Sequence, residues 1–136
     1  MNIFEELRML DLPKGEYVVI GSGIMGALGI RKVTDLDFIV TPQVFDRLRS
    51  EGWEYCEIEI EGRIRQKLVK GSMEAFKDFW YNGEDRDTVQ MIRDAEMIED
   101  YPFMSLDDLL KFKKSLDRPK DHEDIKLIEE YLSNNK

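Results

Sequence analysis

The stretch VVIGSGIMGALGIRKVTDLDFIV, residues 18–40, carries two signatures that exclude one another. Gly21, Gly23 and Gly26 spell G-x-G-x-x-G behind an apolar run, the mark of a dinucleotide-binding turn. Asp35-Leu36-Asp37 opens a second apolar run, and paired acids there point to a metal ion.

A dinucleotide fold needs a strand, a glycine-rich turn, a helix of several turns, and a second parallel strand ending in an acid about 20 residues on. Only 14 residues separate Gly21 from Asp35, and Asp35 precedes the second apolar run. Turn, cap and loop leave about eight residues for the helix. The later chain also lacks the regular strand–helix alternation of a doubly wound sheet. Spacing rejects the dinucleotide reading.

The acids fare better. Residues two apart on a strand point to the same side, so the Asp35 and Asp37 carboxylates project together. Such neighbours repel and raise each other's pKa unless a cation lies between them. Mg²⁺ takes oxygen ligands and is commonly shared between one or two carboxylates and substrate phosphates. Gly21 and Ser22, at the start of a helix, would offer backbone N–H groups and a hydroxyl to those phosphates. The same residues have structural readings: Asp35 as a turn cap, Asp37 as a surface acid, Ser22 as an N-cap. Two acids opening a buried apolar strand are costly without a partner, which favours the cation.

The 136 residues suffice for one domain, 1–136, with a real core. No apolar run approaches the length of a membrane span. The acidic N-terminus predicts no signal peptide, and a lone Cys56 fits a reducing cytoplasm. With His122 the sole histidine and no Cys/His cluster, the sequence argues against a zinc site and a histidine-centred triad. Twenty basic against 29 acidic residues give a net charge of −9, which argues against direct nucleic-acid binding but leaves room for a small anionic ligand at a local metal site.

Periodicity predicts an α+β fold. Helices are expected at 3–10, over about two turns through Leu28, from Pro42 to Gly52, from Ser105 through Leu116, and at 125–132 behind Asp121 and Asp124 as caps. Strands are expected at 17–20, 36–40, 53–60, 64–69 and 73–79, with a hairpin turn at Lys70-Gly71-Ser72 and a small hairpin around Glu99-Asp100. Residues 84–94 read as either helix or loop. The expected architecture is a small mixed, twisted sheet with helices on one face and the C-terminal helices closing it. Trp53, Phe76, Phe79 and Trp80 read as core.

Gly-Ser, a dozen residues, then Asp-x-Asp between apolar neighbours resembles the signature of the DNA polymerase beta-like nucleotidyltransferase superfamily. Its small bacterial members include antitoxin-type and abortive-infection-type proteins and antibiotic-modifying enzymes. Gly29-Ile30-Arg31 before Thr34-Asp35-Leu36-Asp37 is similar to their "GxR…TDLD". Arg118-Pro119-Lys120-Asp121 with Asp124-Ile125, behind a lysine at 111, 113 or 114, resembles their closing segment. The resemblance implies the minimal nucleotidyltransferase fold and Mg²⁺-dependent transfer of a nucleoside monophosphate from an NTP to an unidentified hydroxyl, on a small molecule or a protein. It makes Asp35 and Asp37 metal ligands and catalytic groups, with a third carboxylate from a neighbouring strand: Glu74, or its same-face alternative Asp78. Gly21, Ser22, Arg31, Lys113 and Lys120 would contact the nucleotide, although Arg31 could instead pair with Asp35 or Asp37. A second class stays open: a non-catalytic nucleotide-binding or toxin–antitoxin-type partner protein that keeps the fold.

Overall fold

Tyr17–Ile20 (β1) and Leu36–Val40 (β2) are almost wholly apolar, and they take the middle of the sheet. In the computed structural model, which describes residues 1–135, they pair antiparallel, with Ile20 opposite Asp37. The chain is α+β. One edge is a meander of Glu54–Ile60 (β3), Arg63–Lys70 (β4) and Met73–Phe76 (β5), with β5 lying parallel to β2. The other edge is the hairpin Glu96–Ile98 (β8) and Tyr101–Phe103 (β9), with β9 parallel to β1. The order β3-β4-β5-β2-β1-β9-β8 makes a mixed seven-stranded sheet. A separate ribbon pairs Trp80–Tyr81 (β6) with Glu84–Asp85 (β7).

Six helices are present among the described residues: Ile3–Leu10 (α1), Gly23–Ala27 (α2), Pro42–Ser50 (α3), Thr88–Arg93 (α4), Leu106–Leu116 (α5) and Pro119–Asn134 (α6). None is long and apolar enough to cross a membrane. The caps follow side-chain chemistry. Thr41 and Ser105 oxygens accept from the N–H groups of Val44 and Asp108, as expected of residues preceding a helix.

Four expectations need correction. Helices do not sit on one face only, because all four residues of β1 are buried, and alternate residues of a strand point to opposite sides. Val19 and Leu36 face α2; Ile20 and Asp37, on the other side, face the cleft walled by α5 and α6. The third strand of the meander stops at Phe76 rather than Phe79, where the chain bends into the β6–β7 ribbon. The last helix begins at Pro119, six residues before Ile125: Pro at the first helical position is pre-organised for the turn, so Asp121 and Asp124 fall inside the helix. Finally, α2 spans only five residues. One continuous buried cluster runs from Ile3 to Ile128 and includes Trp53, Phe76 and Phe79; Trp80 is buried as well.

Candidate functional site

Parallel pairing of β2 with β5 sets Asp37 beside Glu74. Asp35 precedes the strand, exposed to solvent, where the Leu36 N–H donates to the Ser72 carbonyl at 3.0 Å and ties the strand's entry to the β4–β5 turn. On the other flank the chain leaves β1 through Gly21 with φ +66°. A Cβ there would lie 3.6 Å from Asp37 Oδ2, ordinary contact, so the backbone conformation and not lack of space demands glycine. Asp35, Asp37, Gly71, Ser72 and Glu74 line a recess of about 230 Å³.

This crowding of acids is legible in Asp37. Its carboxyl is pushed up from 3.8 to about 6, first by burial and then by the charges of Glu74 and Asp35, against the opposing pull of Arg65 and Lys67. The neighbouring cations are unequal. Arg65 is buried, bonded to the Asp78 carboxylate and carbonyl, and stacked over Phe76 at 3.7 Å. The Lys67 ammonium lies 2.7 Å from Glu74 Oε1. Among the described residues, no three His, Cys, Asp or Glu side chains are gathered closely enough to hold an ion as they stand.

A larger cleft of about 550 Å³ adjoins the carboxylates. Gly21, Ser22, Arg31, Asp35 and Asp37 line one side, and Lys113, Arg118, Lys120, Asp121 and Asp124 the other. The Ser22 hydroxyl caps nothing on α2. The cleft wall is stitched by ion pairs. Asp124 accepts two bonds from Arg31, at 2.7 and 2.8 Å, and lies 2.9 Å from Lys113. Lys113 also approaches Asp121 at 3.5 Å, and Arg118 forks onto Asp121. Burial alone would raise both aspartates, but hydrogen bonds from Arg31 and Lys113 hold Asp124 below the usual carboxylate range. Those from the Arg118 side chain and backbone do the same for Asp121.

The structure thus brings Gly21, Ser22, Arg31, Asp35, Asp37, Lys113 and Lys120 onto one cleft, with Glu74 in the adjoining recess. Glu74 stands beside Asp37, whereas Asp78 lies past the end of β5 and is spent on Arg65. Arg31 pairs with Asp124 and with neither Asp35 nor Asp37. Of the three candidate lysines, Lys113 is the buried one on the cleft; Lys114 reaches out to Glu129. Asp121 accepts the Arg118 N–H at the helix start, but Asp124 is an ion-pair partner and not a cap. His122 is exposed and sits against Asp117. Sequence reasoning missed Lys67 and Arg65. A two-residue turn at Gly71-Ser72 pairs Val69 with Glu74 and Lys67 with Phe76, so Lys67 and Glu74 are diagonal neighbours on one face. Counting back from that turn would have found the pair. No family model, curated protein or solved structure matches the chain.

Proposed function

We propose that the chain is a Mg²⁺-dependent nucleotidyltransferase with the minimal fold of the DNA polymerase beta-like superfamily, moving a nucleoside monophosphate from an NTP to a hydroxyl acceptor. One observation carries the reading: the register that sets Glu74 beside Asp37, with Asp35 at the mouth and the Gly21-Ser22 turn against Asp37.

The donor set fits the ion. All three groups are carboxylates, the hard oxygen ligands Mg²⁺ prefers, and Asp37 is held well above its ordinary pKa by burial and by the charges of Glu74 and Asp35. Asp35 and Asp37 would hold the ion, with Glu74 joining once it leaves Lys67. A bound ion supplies neutralisation of triphosphate charge and orientation of the α-phosphorus. The protein's own groups do the rest. Ser22 offers an uncommitted hydroxyl to a phosphate oxygen. Lys120, on the cleft wall, supplies positive charge. Glu74, in the recess that adjoins the cleft, takes the proton as the acceptor oxygen bonds to the α-phosphorus and the bond to the leaving pyrophosphate breaks. The acceptor is a small molecule or a protein, since the net charge of −9 disfavours nucleic acid.

A second reading has its own support. Arg31, Lys113 and Arg118 are all ion-paired with Asp121 or Asp124, as in a wall built for stability. That suits a non-catalytic nucleotide-binding or toxin–antitoxin-type partner. Pyrophosphate release from each NTP in the presence of a cell extract separates the two. Transfer predicts release that requires Mg²⁺ and vanishes in Asp37→Asn. Nucleotide binding without release selects the second reading.

A further inference from the structure

The Lys67–Glu74 pair bridges β4 and β5, two strands that a backbone ladder already joins. Its position is telling. Glu74 stands beside Asp37, and the ammonium sits on Glu74 at 2.7 Å, where a divalent ion would need that carboxylate. Of the two cations on this face, Arg65 is fixed by its fork on Asp78 and its stack on Phe76. Among the described residues Lys67 makes a single ion pair, through a flexible four-carbon stem, a point charge free to withdraw. Its side chain is 18% exposed, so the ammonium is close to water but not lost in it.

We infer that Lys67 is a built-in counter-ion that competes with the divalent cation for Glu74 and couples metal binding to nucleotide binding. This rests on the metal-site reading above. In the empty protein Lys67 offsets part of the repulsion among Asp35, Asp37 and Glu74. When Glu74 turns to an ion, the ammonium is left without a partner on the same face. A free ion therefore binds at a penalty. An ion arriving with a polyphosphate binds at a smaller penalty, because the phosphate charge offsets the ammonium that Glu74 has left. Metal and nucleotide then enter together, and the bare ion is disfavoured.

The test uses Mn²⁺ as the metal probe, with affinity read by titration calorimetry and by the loss of the free-ion paramagnetic resonance signal. Wild type, Lys67→Met, Lys67→Gln, Lys67→Arg and Asp37→Asn are compared with and without a non-hydrolysable ATP analogue. Removing the ammonium in Lys67→Met or Lys67→Gln tightens binding of Mn²⁺ alone by roughly three- to tenfold, the range expected of one partly exposed charge pair. The same variants lose a comparable part of the enhancement that the analogue gives to Mn²⁺ binding. Lys67→Arg, which keeps the charge, binds Mn²⁺ no tighter than wild type. If wild type binds Mn²⁺ through Asp37 but both neutral variants bind it equally or more weakly, the counter-ion role is wrong and the metal site stands. If Asp37→Asn binds Mn²⁺ as wild type does, or wild type binds none even with the analogue present, the metal site itself is wrong and the inference falls with it.

Discussion

Asp37 shows what the site costs the fold. With its folded pKa raised from 3.8 to about 6, the native state holds the proton more tightly than the unfolded chain. The stability this contributes is complete below the unfolded value and is lost as pH rises through the folded one. Asp37→Asn removes that loss. Urea unfolding without metal should find it more stable than wild type by about 1–2 kcal/mol at pH 7.5, with the gap closing near pH 4. A variant less stable at both pH values would mean that the carboxylate has a structural partner. The glycines of GSGIMG divide by role. Gly21 answers to its positive φ, so Gly21→Ala should cost about 1–2 kcal/mol through backbone strain. Gly23 has an ordinary φ, but a Cβ there would meet Val19 Cγ1 at 2.5 Å and a Cβ at Gly26 would meet Val33 Cγ2 at 2.7 Å. Alanine at either position should cost about 1–3 kcal/mol by overpacking, read as a lowered urea midpoint with unchanged slope. Gly21 turns the chain, Gly23 lets the short helix lie close to β1, and Gly26 makes room for Ile3 of α1 and for Val33.

Between elements, the decisive device is the lock that joins the loop after α2 to α5 and α6. Arg31 and Lys113 converge on Asp124, and Lys113 is buried. Removing one partner of a buried set leaves the others uncompensated, so Asp124→Asn should destabilise by about 3 kcal/mol. Because the Asp124 pKa is depressed, that stability is present above the unfolded carboxylate value and lost as pH falls through the folded one. The gap between wild type and variant should therefore persist at neutral pH and narrow in strong acid, as thermal melts at several pH values can show. Much at this scale was legible beforehand. The apolar runs at 17–20 and 36–40 lie buried at the sheet centre, and Ser105 caps its helix. The Glu99-Asp100 hairpin is also there, although both residues take positive φ without glycine. What escaped was set by neighbours. The two strands of the β6–β7 ribbon are too short to show alternation, even though Asn82-Gly83 between them is a strong hairpin signal. The early start of α6 depended on reading Pro119 as the first helical residue and not as a breaker. For Arg31, a nearest-acid argument favoured Asp35 or Asp37. Its partner lies 93 residues away, and only the fold brings Asp124 within reach.

At the scale of the whole molecule, charge is distributed unevenly in meaning. The net −9 repels polyanions at long range, and in the cleft Arg31, Lys113 and Arg118 are already paired with Asp121 and Asp124, which leaves Lys120 as the cation outside those pairs. A nucleotide bound there depends on a cation to offset Asp35, Asp37 and Glu74, so the account stands on metal and nucleotide binding together at Asp37. The most direct measurement is a set of thermal melts of wild type and Asp37→Asn, with and without Mg²⁺, against ATP, GTP, CTP and UTP in turn. The account predicts that at least one NTP at about 100 times its Kd raises the wild-type Tm by roughly 5–10 °C only when Mg²⁺ is present, and that Asp37→Asn loses this shift while melting no lower than wild type alone. No Mg²⁺-dependent shift with any NTP, or an equal shift in Asp37→Asn, would contradict it.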